Sequence, residues 1–320
     1  MAALCCAWSI SDSHTPRSGR WPKHGPKLAR DLVMQPVSII GCGYTGQRLA
    51  ERLRELGAPV RGFATRVESL RKISAAGAEA LRLDLDAATA PIDFTGHVVY
   101  YAVPPARRAG DPRLERFLDG VLGAPKRLVY LGTTGVYGNQ AGARVNEDTP
   151  PAPNTDRATR RLAAEIALRA WAESRLVSWC VLRVAGIYGP GRLPLDRLLR
   201  AVPAIALNEA ATANRIHVTD LVTVCVAAGF AAAADRRIYN VTDGSDDSHT
   251  EYLQRVAAIA HLPSPPLISR AEAERTHFSL PSRSRAESRR VDSGRMLTEL
   301  GVALKYHDVD AGIRASLAES

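Results

Sequence analysis

The chain has 320 residues, of which 46% are apolar and 23% charged, and its formal net charge is +9. This excludes disordered and collagenous classes, fits one large α/β domain or a domain with a small lobe, and allows a core without disulfides or a structural metal. The longest nearly uninterrupted apolar run, Leu221 to Ala234, is about 14 residues, too short to span a bilayer, so no membrane partner is expected.

The cysteines at 5, 6, 42, 180 and 225 form no CxxC pair and no Cys/His ligand spacing. No metal site is expected, and Cys180 and Cys225 read as core thiols. The cysteine count suits a reducing cytosol, so the expected location is cytoplasmic. Lys and Arg are scattered and not interleaved with aromatics. That argues against a nucleic-acid partner and for a basic cleft that takes a small anionic substrate.

Residues 1–33 show no periodicity and carry Ser, Pro, Gly, His and Arg. They are expected to form a disordered tail, with Met34 as an alternative start. Ala2 to Ile10 is short and precedes the charges, unlike a secretory signal, and a transit peptide is the minority reading. Val37–Ile40 then reads as a buried strand, followed at once by Gly41-Cys42-Gly43-Tyr44-Thr45-Gly46. Helical apolar spacing runs from Gln47 to Leu56. Strand, GxGxxG and helix in that order point to a dinucleotide site. Gly41 permits the tight turn, Gly43 lets the backbone approach a pyrophosphate, and Gly46 lets the helix pack on the strand. Tyr44 and Thr45 lie in the same turn.

The second predicted strand, Pro59–Phe63, ends in Ala64-Thr65-Arg66. No carboxylate is there to bond the ribose 2′-OH of NAD. Thr65 and Arg66 suit a 2′-phosphate, so the expected cofactor is NADP and NAD is less favoured. The third strand, Ala80–Leu83, is closed by Asp84, which either accepts from the adenine amino group or caps a turn. The fourth, His97–Val103, is ended by Pro104-Pro105, placing Ala102, Val103 and Pro104 beside the cofactor. Arg107 and Arg108 in that loop read as substrate-anion ligands or surface charge. The fifth, Arg127–Leu131, runs into Thr133 and Thr134, at the strand end where open parallel sheets keep their active sites.

Several blocks in this order resemble the short-chain dehydrogenase/reductase superfamily. The similarity is to its extended or atypical branch, the NAD-dependent epimerase/dehydratase family, and covers Met34 to about Leu317. The blocks are Ile40–Gly46, Val129–Gly138, Glu147–Pro150, Leu182–Arg192, Asn214–Leu221 and Tyr239–Val241 with Gly244. The resemblance implies a Rossmann-type α/β fold, a doubly wound parallel sheet with a small C-terminal substrate lobe. Residues 34–190 would form the NAD(P)-binding core, and 191–320 the lobe mixed with returning core elements. The closing Asp292-Ser293-Gly294 segment and Leu300-Gly301 fit the family's last helix, with Arg283, Arg285, Arg289 and Arg290 before it.

The sequence departs from the family at its Tyr-x-x-x-Lys pair. Aligned on the helix through Ala163-Ala164-Glu165, the Tyr position carries Arg157 and the Lys position Arg161. A guanidinium titrates above about 12 and cannot serve as a general base, but Arg161 can still donate to ribose hydroxyls. Its bland alternative is an ion pair with Glu165 one turn on. The resemblance assigns Thr133 the catalytic hydroxyl, with Tyr137 and Tyr188 as candidate replacement acids. Thr134, Arg157, Arg183, Arg192, Asn214 and His217 are expected to bind substrate, although buried structural roles compete for Arg183 and His217. Thr219-Asp220 reads as a helix N-cap. A homodimer through the helix Thr155 to Ser174 is implied by the resemblance alone. The leading expectation is an epimerase/dehydratase-like or reductase-like protein that transfers hydride at a nicotinamide ring, on an anionic, possibly nucleotide-linked substrate. The alternative is a non-catalytic NADP-binding sensor or scaffold, as the missing acid would predict.

Overall fold

Short apolar runs alternating with amphipathic stretches produce a parallel βα succession in the computed structural model, which describes residues 35–106, 111–275 and 287–319. The first half contains β1 (Val37–Ile40), α1 (Tyr44–Glu55), β2 (Val60–Ala64), α2 (Val67–Ala75), β3 (Glu79–Arg82), β4 (Ile92–Asp93) and β5 (Val98–Tyr101). α3 (Pro112–Asp119), β6 (Val121–Leu122), β7 (Arg127–Leu131), β8 (Arg144–Val145), α4 (Asp156–Ser174) and β9 (Ser178–Val184) follow. The rest comprises β10 (Gly186–Tyr188), α5 (Leu195–Leu199), β11 (Ala204–Ile205), β12 (Arg215–His217), α6 (Val218–Phe230) and β13 (Arg237–Val241). The chain ends with α7 (His249–Ile259), β14 (Leu267–Ile268), α8 (Arg270–Arg275), β15 (Arg290–Val291), α9 (Gly294–Leu300) and α10 (Val309–Ala318).

Seven strands form one parallel sheet in the order β13-β9-β7-β5-β1-β2-β3. The chain winds outward in one direction from β1 and then restarts at β5 on its other side. That reversal makes the crevice at the carboxyl ends of β1 and β5 the expected ligand position. Alternate residues of each strand face opposite layers, so both faces are apolar. Ile39, Tyr100, Val129 and Leu182 pack with α1 and α6, while Val99, Tyr101, Tyr130 and Val181 pack with α3 and α4. A separate cluster of Tyr188, Leu198, Tyr252, Leu253, Val256 and Ile313 is the core of the second lobe. β13 returns from that lobe to finish the sheet at its far edge. Among the described residues no helix is long and apolar enough to cross a membrane.

The expected strands fall where the apolar runs lie, with ends shifted by a residue or two. Cys180 and Cys225 are core thiols. Three expectations are corrected. α1 starts at Tyr44, not Gln47, because Gly43 serves as its N-cap and Gly46 lies inside the helix. The predicted helix from Leu193 to Val202 contracts to Leu195–Leu199. The cap of α6 is His217, whose Nδ1 accepts from the Thr219 amide at 3.2 Å. Asp220 is instead drawn to the C-terminal segment, where its carboxylate accepts from the amides of Lys305 and Tyr306 at 2.7 and 2.9 Å. The predicted tail 1–33 and Arg107, Arg108, Arg283 and Arg285 lie outside the described residues.

Candidate functional site

Two cavities open at the carboxyl ends of the central strands. The first, about 330 Å³, is lined by the Gly41–Gly43 turn, by Thr65 and Arg66 after β2, by Asp84 and Asp86 after β3, and by Ala102, Val103 and Pro104 after β5. Gly41 has φ +82°, and a Cβ there would lie 2.7 Å from Val103 Cγ2. This glycine is required by the protein's own packing. Gly43 differs: a Cβ there would meet only the Gly41 carbonyl oxygen, at 3.9 Å. Its bare backbone faces open space at the N-terminus of α1, which no side chain caps. Exposed amide dipoles beside an unfilled cradle suit a pyrophosphate, so the residues present fit a dinucleotide. Gly46 sits 3.1 Å, by the same construction, from Ile39 Cγ2 and sets the helix against β1. Thr45 is buried in the same packing.

Tyr44 joins this turn to the second lobe. Its hydroxyl donates to the Pro190 carbonyl at 3.0 Å. Its ring lies between two guanidinium groups, Arg48 at 4.0 Å and Arg192 at 3.8 Å. Burial holds Arg192 below the ordinary arginine pKa, and no carboxylate of the described residues is within ion-pair reach of it.

The second cavity, about 320 Å³, includes Thr133, Thr134, Arg157, Arg192, Asn214, Arg215, Tyr252, Glu287 and Arg289 in its lining. Four guanidinium groups face one carboxylate. Arg289 is held by Glu287 at 3.0 Å and by the Gly138 carbonyl at 2.6 Å. Arg215 donates to the carbonyls of Ala213 and Ser248 and lies 4.0 Å over the Tyr252 ring. Arg157 is exposed and, like Arg192, has no ion-pair partner among the described residues. The Thr133 hydroxyl accepts from the Gly135 amide at 3.1 Å, which fixes its rotamer at the mouth of β7. Thr134 is buried beside it.

Several predicted site residues lie elsewhere. Tyr137 is fully buried; its hydroxyl donates to Asn240 Oδ1 at 2.8 Å and accepts from Arg183 Nη1 at 2.9 Å. It is therefore a core group and not a replacement acid in the cavity. Arg183 is not a substrate ligand either, because it forms a buried ion pair with Glu165, at 2.7 Å through Nη2. That pairing also removes the alternative of an Arg161–Glu165 bridge. Arg161 instead reaches the carbonyls of Leu131 and Gly132, the second at 3.0 Å, and clamps the end of β7. It lines neither cavity. Tyr188 lines the second cavity, but its hydroxyl is buried and pressed toward Gly312 of α10. Burial pushes its pKa far up, with the Asp243 charge adding to the rise. His217 is buried between the α6 cap and Ser316. Asn214 lines the cavity, yet its amide is spent on β15, donating to the Arg289 carbonyl and accepting from the Val291 amide, both at 2.9 Å. Asp84 Oδ1 accepts from the Asp86 amide, the turn-capping role.

Sequence reasoning missed Arg215, Tyr252, Glu287 and Arg113. Arg215 adjoins Asn214, so it could have been read; Tyr252 is hidden as an apolar face residue of α7. Nowhere in the chain does a Tyr stand four residues before a Lys.

The family described as NAD dependent epimerase/dehydratase matches residues 116–242. No curated protein matches the chain. Among solved structures, a functionally unknown conserved protein from Silicibacter pomeroyi is 30% identical, with 90% of this chain and 99% of that one covered and a TM-score of 0.77. MoeE5 in complex with UDP-glucose and NAD is 20% identical over 89% and 98% of the two chains, with a TM-score of 0.70. Thermus thermophilus UDP-glucose 4-epimerase in complex with NAD is 21% identical over 89% and 98%, with a TM-score of 0.69. The last two share the fold, whereas the first spans nearly both chains in sequence as well. With the family's model matching residues 116–242 and a 30% identical relative spanning 90% of the chain, this chain belongs to the NAD-dependent epimerase/dehydratase family.

Proposed function

We propose that the protein binds NADP(H) in the cleft at the glycine turn and an anionic, nucleotide-linked substrate in the adjoining arginine-lined cavity, where hydride transfer takes place. The observation that carries this is the pair of uncompensated guanidinium groups, Arg157 and Arg192, in a cavity beside the uncapped helix N-terminus. Two relatives of the same fold hold NAD, and one of these also holds UDP-glucose. The preference for NADP rests on Thr65 and Arg66, which line the cleft where NAD binding would favour a carboxylate.

When bound, the nicotinamide ring supplies the hydride acceptor or donor. Arg157 and Arg192 hold the substrate anion through charge-assisted hydrogen bonds. Thr133, its rotamer set by Gly135, bonds the substrate oxygen at the end of β7. Arg161 keeps that strand end in place.

A second reading, a nucleotide binder without turnover, is favoured by one observation. The hydroxyls of Tyr137 and Tyr188 both point away from the cavity. Fluorescence titration of NADPH and NADH into wild type and Arg66→Asp tests the cofactor. NADPH is expected to bind more tightly, and the substitution to weaken or invert that preference. Equal affinity in both proteins would remove the NADP assignment. Incubating the NADPH complex with UDP-sugars and following nicotinamide absorbance and sugar products then separates enzyme from binder.

A further inference from the structure

We propose that Arg113 is the platform on which the adenine ring of the bound dinucleotide lies, and that Asp86 is the positioning residue that holds it flat. The proposal rests on the dinucleotide reading above and extends it to the end of the cleft opposite the glycine turn.

Arg113 stands in the first turn of α3, which starts at Pro112 behind the capping Asp111. Its guanidinium is held along its edges. Nε donates to Asp86 Oδ1 at 2.7 Å, Nη2 donates to Asp86 Oδ2, and Nη1 donates to the Pro104 carbonyl at 3.1 Å. Arg116, one turn on, reaches the Leu85 carbonyl and fixes the same loop to α3. The side chain of Arg113 therefore spans from the loop after β3 to the loop after β5, across the mouth of the nucleotide cleft.

The geometry decides what such a group can bind. A phosphate approaches arginine in its plane, through paired N–H donors. Here Nε and one N–H of each terminal nitrogen are engaged, so most of the in-plane donors are already spent on the protein. The two faces of the plane remain, and among the described residues no aromatic ring covers either. Arg113 keeps 26% of its side-chain surface exposed. The cleft beside it carries Leu83, Leu85 and Val103. A flat cation in a cleft that also carries apolar side chains suits the π-face of a planar base, the contact by which guanidinium planes bind unstacked bases. The opposed ends of the cleft then divide the work. The bare backbone at Gly43 takes the phosphates, and the Arg113 slot takes the base.

Calorimetric titration of adenosine 2′,5′-bisphosphate into wild type, Arg113→Ala, Arg113→Lys and Asp86→Asn tests this without any turnover. Arg113→Ala is expected to weaken binding about tenfold, with thermal unfolding of the free protein little changed. Arg113→Lys keeps the charge and loses the plane, so it should not restore affinity. Asp86→Asn should give a smaller loss. Unchanged affinity in Arg113→Ala, or full rescue by Lys, overturns the platform and leaves the dinucleotide reading intact. A wild-type protein that binds neither the bisphosphate nor NADPH overturns both.

Discussion

The polar core beneath α4 and the cavity at its N-terminal end are both rich in arginine, and they treat it in opposite ways. In the core, Arg183 meets Glu165 edge to edge and the Tyr137 hydroxyl besides. Arg127, likewise buried, spends its donors on Ser178 and on the carbonyls of Ala228 and Ala231. In the cavity, Arg157 and Arg192 are exposed and neither forms an ion pair with a described residue. A buried cation whose donors are all met stabilises the fold it sits in. A solvent-facing cation with no acid opposite it keeps its donors open to a ligand. The contrast separates arginines committed to the core from those left open in the cavity.

The contrast is open to direct attack, and the largest effect is expected in the core. Arg183→Leu leaves the buried Glu165 carboxyl without its partner, which should cost about 3–5 kcal/mol in urea unfolding. Replacing both partners, Glu165→Leu with Arg183→Met, should cost less than the single change. A double variant as unstable as the single one would mean that the Tyr137 bond, and not the pair, carries the stability.

In the cavity the expectation reverses. Arg192→Gln should leave unfolding stability within about 0.5 kcal/mol of wild type. Binding of UDP-glucose, followed by calorimetry, should weaken about tenfold or more, as for a lost charge-assisted contact. A stability loss without an affinity loss would make Arg192 a packing partner of Tyr44.

The smallest effect concerns His217, a buried group kept neutral. Burial, reinforced by the charges of Lys305 and Arg48, lowers its pKa from 6.5 to about 4. The unfolded chain then binds a proton over that interval and the folded chain does not, so its contribution to stability is present above pH 6.5 and is lost as pH falls toward 4. His217→Asn keeps a capping side chain at α6 and removes the titration. Its stability should fall less than that of wild type between neutral pH and pH 5. Parallel curves would show that other groups carry the acid response.

The nucleotide half was readable because its signals are local. Val37–Ile40 and Arg127–Leu131 are short apolar runs punctuated by Gly, and the glycine turn lies in one stretch of sequence. The substrate side was harder, since its decisive pairings are between distant residues. Nothing near Glu165 says that it will choose Arg183, 18 residues on, over Arg161 on its own helix. The Tyr137 hydroxyl looked available until Asn240, 103 residues later, was found bonded to it. α3 was missed although Asp111-Pro112 is an N-cap followed by proline at the first helical position, a signal that the chain does carry.

The late return of β13 sets an order on biosynthesis. A nascent chain that has emerged only through Gly191 has β9 as a bare sheet edge, because its neighbour begins at Arg237. Tyr137 and Glu147 wait as well, since Asn240 on that strand supplies the acceptor for one and the amide for the other. Until roughly fifty further residues have left the ribosome, the first half exposes an unpaired strand edge of the kind that recruits foreign strands. Translation speed through the second lobe thus sets how long that edge of β9 waits for β13.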